Sequence, residues 1–507
     1  MTGPSAPPPP ARLDAAYAWT LRLADHVGAR AGLVVALAVA AGVVAALVAT
    51  LVLDRFPNSG DEYAYVYQAE TMASGRLWNP APAAPDLFGS YYVVTDGDRT
   101  FGSFPIGWPV VLTGAAMAGV PLWLVNPVVG VLSLVVIVAL GRELHGPRIG
   151  VLAALVVGTS SFFLFNAASY FSHPLTGLLV LVAALAAARS ADGRAVWPVV
   201  VGFSVAWAVL ARYFTGVVCA LPVMALLVAR RGRVANTLAL VALGGLPWVL
   251  VLAGYNDALS GSPWQLTTLG ETYGNWFRQK WVMRGFDILG NQLLRYVLWT
   301  PPLLVFLYLW GLRRRPTAAT ALDWMPVVVA LSFFPYVNRG GNQYGPRFYY
   351  EAFPFLALAV TAAVFRDERL SDTGSRRRFA ALAASLAVVP AAFLAHAAIE
   401  RRVVTERQAP YRDARAAGLD HAIVLIAGRI GSTRSIDGRD LTRNGLAANG
   451  PVLFATDVGD AEGCRLNALH YGRALYRYAW VPERQAGTLT PVECPPTSRA
   501  QPSGSRR

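Results

Sequence analysis

Two adjacent acids, Asp61 and Glu62, follow the first long apolar run and open the stretch SGDEYAYVYQAETMASGRLWNPAP. A carboxylate at the mouth of a membrane helix is costly to hold there unless it has work to do. One task it can perform is general base, taking the proton of a hydroxyl as that hydroxyl attacks. Adjacent helical residues point about 100° apart, so the two acids would do different jobs. A purely local reading competes. Asn58-Ser59-Gly60-Asp61-Glu62 also looks like a helix start, with Ser59 or Asp61 at the N-cap and acids in the first turn.

Cations supply the complementary chemistry. Arg347, in GNQYGPRFYYE, ends an apolar run, and a guanidinium fork there can hold a phosphate bidentately. The competing readings are a side chain snorkelling to headgroups and an i, i+4 pair with Glu351. Arg339 and Tyr344 belong to the same loop. Arg212, in LARYFTG, falls at an outer helix end, where arginine runs against the loop-charge rule. Arg278, Lys280 and Arg284 interleave with Trp276, Phe277 and Trp281, a pattern that suits equally an interfacial helix touching anionic lipid or a phosphorylated carrier and a plain surface helix. His173, in NAASYFSHPLTG, is a further candidate for substrate contact, against a structural histidine held by hydrogen bonds.

Metal-ligand spacings such as H-E-x-x-H or paired C-x-x-C do not occur, and Asp96 and Asp98 in TDGDRT read first as turn residues. The sequence therefore designates no metal ligand and no definite cofactor, while leaving a divalent cation open. It also lacks a P-loop, a G-x-G-x-x-G and a G-x-S-x-G elbow, against a nucleotide-sugar donor or an ATP-driven pump.

The elements that must position these residues are apolar helices. The 507 residues are 55% hydrophobic and 15% charged, with a mean hydropathy of +0.42. Soluble domains carry about 25% charged residues, so this is a polytopic membrane protein. The basic residues behind the net charge of +14 are nearly all arginine, and those ahead of the C-terminal region sit mostly in short loops between apolar runs. These act as topology signals, and the chain does not read as a nucleic-acid binder. Putting the basic loops inside gives about eleven transmembrane helices, near 31–53, 121–141, 148–168, 174–189, 196–211, 216–229, 234–254, 293–312, 318–337, 352–366 and 379–398. The N-terminus is then cytoplasmic and the C-terminus outside. The stretch 106–120, with Gly107, Pro109, Gly114 and Gly119, is expected to re-enter or lie beside the membrane on the outer side.

Residues 1–30 form a cytoplasmic segment, and 31–398 a membrane domain with an outer loop at 54–120. Within that loop an amphipathic surface helix precedes a hairpin around TDGD. Residues 399–494 form a small extracytoplasmic α/β domain, with strands at HAIVLIAG, GPVLFATD and ALYRYAW, and 495–507 a disordered tail. Cys464 and Cys494 can pair if the tail lies in an oxidising compartment, while Cys219 is an inert core residue.

The ordered set GDEYAYVYQAETMASGRLW, FPIGWPVVL and QYGPRFYYEAFPFL resembles the GT-C glycosyltransferases of the protein-mannosyltransferase and lipid A aminoarabinose-transferase type, over roughly the first 370 residues. The usual double proline of the second element is Phe104-Pro105-Ile106 here. The resemblance implies an inverting enzyme of the plasma membrane that uses a polyprenyl-phosphate-linked sugar on the outer face. It makes Asp61 the base with Glu62 as its support, and the reading of the residues themselves adds Arg347, Arg212, His173, Arg339, Tyr344 and Lys280 as substrate contacts. Related enzymes often carry an acid in the second outer loop, and this chain has none at 169–173. Arginine used in place of lysine, with abundant Ala and Gly, suggests a GC-rich bacterium and hence an envelope polysaccharide, lipid or protein acceptor. Two other classes compete: a transporter or flippase of lipid-linked sugars, disfavoured by spans almost free of charge, and a non-catalytic envelope scaffold.

Overall fold

The computed structural model describes residues 12–265, 281–313, 320–334, 343–370, 372–470 and 472–494. The chain falls into two compact units, Met1–Leu51 with Pro105–Ala397 and Val52–Phe104 with Ala398–Arg507.

The first unit is a bundle of apolar helices. Among the described residues six helices are long and apolar enough to cross a membrane: Ala31–Val52, Leu122–His145, His173–Asp192, Tyr213–Arg231, Val234–Ser260 and Thr373–Ala416. Two bent pairs raise this to eight if each counts as one span. Each of the eleven expected segments carries an apolar helix or a bent pair, but three of them, Val196–Ala211, Ala321–Phe333 and Phe353–Val364, are short. At 1.5 Å per residue a 12-residue helix covers about 18 Å, less than a hydrocarbon core of about 30 Å.

The bends have local causes. The expected span 148–168 breaks by 71° between Thr159 and Ser161. There the Ser160 hydroxyl accepts the Phe163 N–H at 3.2 Å and starts a new helix. The span expected at 293–312 turns by 111° at Thr300-Pro301-Pro302, where proline removes the donor that would continue the helix. His173–Asp192 is 72% buried along its apolar window, against 17% for Val234–Ser260. The first is thus a central helix and the second a peripheral one. Its alanines, among them Ala183, Ala184 and Ala187, are buried and let neighbouring helices approach closely.

The FPIGWP segment is not part of a helix long enough to cross a membrane. It leads into a helix of nine residues, Pro109–Met117. Before it, Gly107 donates its N–H to Leu210 O at 2.9 Å, while its own carbonyl accepts the Trp207 indole N–H at 2.8 Å. A Cβ at Gly107 would stand 2.5 Å from the Ala211 nitrogen, so only glycine permits this approach.

The second unit combines the first loop with the C-terminal residues. Helix Gly60–Ala73 is followed by a small antiparallel sheet, β1 (Asn79–Pro80), β2 (Val93–Asp96) and β3 (Arg99–Gly102), in the order β1-β3-β2. The β2–β3 turn is the expected TDGD hairpin, with Asp96 opposite Arg99 and Gly97 at φ +57°. The C-terminal strands are β4 (Ala422–Ile426), β5 (Arg429–Ile430), β6 (Ile436–Asp437), β7 (Val452–Thr456), β8 (Ala474–Val481) and β9 (Ala486–Pro491). Four of these form one sheet, β7-β4-β8-β9. The centre strand β4, AIVLI, runs parallel to both neighbours and is buried throughout, as its unbroken apolar run requires. Leu87 and Phe88 of the first loop share a core with Ile423, Leu425, Leu453 and Leu475. Cys464 and Cys494 are bonded and tie helix Asp460–Leu469 to the chain after β9.

Candidate functional site

Two groups of polar residues stand out, one in each unit. In the bundle, the residues between Ser169 and His173 are held from below. Asn126 donates its side-chain amide to the carbonyls of Ser169 and Phe171, at 2.7 and 2.9 Å, and the Trp108 indole donates to Tyr170 O at 2.8 Å. This fixes the start of helix His173–Arg189, with Pro174 in its first turn. His173 Nδ1 then lies 3.1 Å from Glu351 Oε1, and Arg212 Nε lies 3.4 Å from the same oxygen. Arg212 sits in an extended break between two helices, at φ −154°, and its Nη1 donates to Ser172 Oγ at 3.4 Å.

Both Glu351 and His173 are almost fully buried, while Arg212 keeps 17% of its side chain exposed. Arg347 stacks on Phe171, its guanidinium carbon 4.1 Å from the ring centroid, and Arg212 lies over Phe348 at 5.8 Å. The named set carries two guanidiniums and one carboxylate. His173 Nε2 and Glu351 Oε2 have no hydrogen-bond partner among the described residues.

In the second unit, Ser59 caps helix Gly60–Ala73. Its Oγ accepts the Glu62 N–H at 3.2 Å and donates to Glu62 Oε2 at 3.4 Å. Glu62 is fully buried, whereas Asp61 is part-exposed. Two arginines of the C-terminal residues grip this helix start. Arg443 donates to the carbonyls of Pro57 and Ser59 and covers the Phe56 and Tyr63 rings at 4.8 and 5.1 Å. Burial pulls its pKa down. Arg407 donates to Asn58 Oδ1 at 3.1 Å and pairs with Asp440 at 2.9 Å.

The sequence-derived residues therefore separate. Arg347, Arg212 and His173 come together in the bundle, and Glu351 joins them. Asp61 and Glu62 share one helix start but differ in environment. Tyr344, at φ +57°, is fully buried between Phe165 and Phe171, at ring distances of 5.9 and 5.8 Å, and its carbonyl accepts from Asn166 at 3.0 Å. Lys280 and Arg339, with Arg278, lie outside the described residues.

In the sequence Glu351 stands out only as a neighbour of Arg347. Its signal was that of a lone acid at the end of an apolar run. Arg407 and Arg443 carried no signal, since nothing local distinguishes them from other tail arginines. Among the described residues no group of three or more His, Cys, Asp or Glu side chains could hold a metal ion.

No protein-family model matches the chain, and no curated protein matches it in sequence. Solved structures do. ArnT from Cupriavidus metallidurans bound to undecaprenyl phosphate superimposes with a TM-score of 0.55 at 13% identity, covering 89% of this chain and 93% of that one. The chain has a GT-C fold. The apo form of the same ArnT gives a TM-score of 0.52 at 13% identity, over 83% of this chain and 88% of that one. The share of this chain matched by ArnT exceeds what its first 370 residues could supply, so the GT-C likeness extends into the C-terminal residues.

Proposed function

We propose that the chain is a membrane glycosyltransferase that moves a sugar from a polyprenyl-phosphate carrier to a hydroxyl of a cell-envelope acceptor, with inversion at the anomeric carbon. The observation that carries this reading is the GT-C fold, shared along most of both chains with an ArnT that holds undecaprenyl phosphate. The bundle cluster supports it. A sugar phosphodiester carries one negative charge and leaves as a phosphomonoester that gains a second. Preorganised cations facing that charge lower the barrier. Arg212 and Arg347 are the guanidiniums assigned to it, with His173 beside them.

In the reaction, the acceptor oxygen bonds to the anomeric carbon as the bond from that carbon to the phosphate oxygen breaks. The hydroxyl proton passes to Asp61, and the electron pair leaves with the lipid phosphate. The partial exposure of Asp61 supports its role as the base. The burial of Glu62 and its hydrogen bonds to Ser59 support a positioning role for that residue. The site would face outward from the plasma membrane, as the arginine-rich short loops imply.

The test is transfer from a polyprenyl-phosphate sugar in proteoliposomes. Asp61→Asn should abolish transfer and still bind lipid phosphate. Full transfer by that variant would overturn the reading. A deletion strain should accumulate the lipid-linked sugar and lack it in its envelope glycans.

A further inference from the structure

A cavity of about 360 Å³ lies wholly within the second unit, walled by the first loop on one side and the C-terminal residues on the other. Small-molecule sites commonly start near roughly 300 Å³ and mix aromatic walls with a few polar groups. Here Tyr63 and Tyr67 form one wall, their rings 6.1 Å apart and inclined by 48°. Tyr67 is fixed by Asn79, which donates to its hydroxyl at 3.1 Å. The opposite wall is pinned by Asn444, whose side chain exchanges two hydrogen bonds with the Phe454 backbone, at 2.8 and 2.7 Å. Into this space face two buried polar atoms, Ser90 Oγ and His470 Nε2, with no hydrogen-bond partner among the described residues. Buried hydroxyls and ring nitrogens are nearly always satisfied, by protein, water or ligand.

We infer that this cavity is a saccharide-binding subsite, with Tyr63 and Tyr67 against the C–H face of a sugar ring and Ser90 and His470 bonded to its hydroxyls. The chemistry favours a neutral ligand. Among the described lining residues Arg76 is the one guanidinium. It is exposed, and its Nε is turned to Ser74 Oγ at 3.2 Å. Burial and the nearby Arg473 hold His470 below its ordinary pKa, against a hydrogen bond from the ring to the Ala83 backbone, so the ring is neutral at physiological pH and keeps Nε2 for one sugar hydroxyl.

The subsite is separate from the proposed base. Tyr63 and Tyr67 follow Asp61 by two and six positions, about 200° and 240° around the helix. They therefore occupy the face away from Asp61. A sugar held there would be a remote unit of the acceptor rather than the one that reacts. That assignment rests on the transferase reading, whereas saccharide binding itself does not.

The experiment uses the full chain in lipid nanodiscs. The probes are the methyl glycosides of mannose, arabinose and galactose, followed by saturation-transfer NMR at neutral pH, with inorganic phosphate as competitor. At least one glycoside should bind saturably and resist phosphate. Ala447→Trp, a substitution at the exposed rim, should weaken it by roughly tenfold or more. Ser90→Ala and His470→Ala should each weaken it several-fold, so the result does not hang on one variant folding. Asp61→Asn should leave it unchanged. No binding by any glycoside, binding untouched by these three cavity variants, or displacement by phosphate would overturn the inference. Transfer retained by Asp61→Asn would instead remove the transferase reading and leave the saccharide site standing.

Discussion

His173 and Glu351, 178 positions apart in the chain, meet with Nδ1 3.1 Å from Oε1, both buried. Arg212 shares that oxygen at 3.4 Å. A carboxylate so enclosed orients both partners. Removing it leaves a guanidinium without its counter-charge, which in buried pairs costs about 3–5 kcal/mol. Glu351→Ala should therefore lower the unfolding temperature of the detergent-solubilised protein markedly, and Glu351→Gln should lower it less. If Arg212 binds the carrier phosphate, Glu351→Gln should also raise the KM for the lipid-linked donor more than it lowers kcat. An unchanged unfolding temperature in Glu351→Ala would show that the cluster contributes nothing to stability.

The two acids at the first helix should part company in the same way. Glu62 is buried under Ser59, and Ser59 caps the helix through the Glu62 amide. Ser59→Ala should cost about 0.5–2 kcal/mol, the usual loss of an N-cap. Glu62→Ala should destabilise by at least as much. Asp61→Asn should cost less stability than Glu62→Ala, as for a part-exposed site, and act chiefly on transfer. Chemical denaturation followed beside single-turnover transfer separates the two effects.

How far these relationships were legible varies with their range. The Ser59–Glu62 contact was readable, because S-x-x-E is a local pattern whose partners are three residues apart. The TDGD hairpin and strands β4, β7 and β8 were readable for the same reason: turn residues and apolar runs act over a few positions. The membrane helices were found by their hydropathy, but their breaks at Ser160 and Pro301-Pro302 were not. A hydropathy window averages over the very residues that bend the chain. Residues 169–173 carry no acid, yet Glu351 reaches His173 from another part of the chain. Nothing in the spacing of Arg347 and Glu351 favours that pairing over the i, i+4 one. The grip of Arg407 and Arg443 on residues 57–59 is of the same kind, set by tertiary packing alone.

The Cys464–Cys494 bond closes a loop with a sequence separation of 30. Loop-closure entropy for that length gives about 3–4 kcal/mol of stabilisation. Cys464→Ser should therefore lower the stability of the C-terminal residues by about that amount and leave the helical bundle intact. Proteolysis of the full chain in nanodiscs should show cleavage confined to the second unit, Val52–Phe104 and the residues from Ala398 on. Non-reducing mass spectrometry should recover the Cys464 and Cys494 peptides as one species from cells, as an oxidising compartment requires.

Acid sensitivity should arise at Asp457. Burial alone would raise its carboxyl, but the hydrogen bonds from Arg477 and from the Gly459 amide outweigh it and hold the pKa below the ordinary 3.8. Arg477 Nε donates to Asp457 Oδ2 at 2.6 Å, and the same guanidinium reaches Asp460. A carboxyl whose folded pKa is depressed stabilises the fold fully above its unfolded pKa and loses that contribution as pH falls through the lower, folded value. The C-terminal residues should thus lose stability from about pH 4 downward, and Arg477→Met should flatten this acid limb while costing stability at neutral pH. Trp480 lies on the same strand, β8, and reports the change locally. With 5-fluorotryptophan in the full chain and Trp480→Phe for assignment, the 19F resonance of residue 480 should shift to its unfolded position at lower urea as the pH is taken down. An identical urea midpoint for the parent at neutral pH and well below pH 4 would show that the Asp457–Arg477 pair does not hold this sheet.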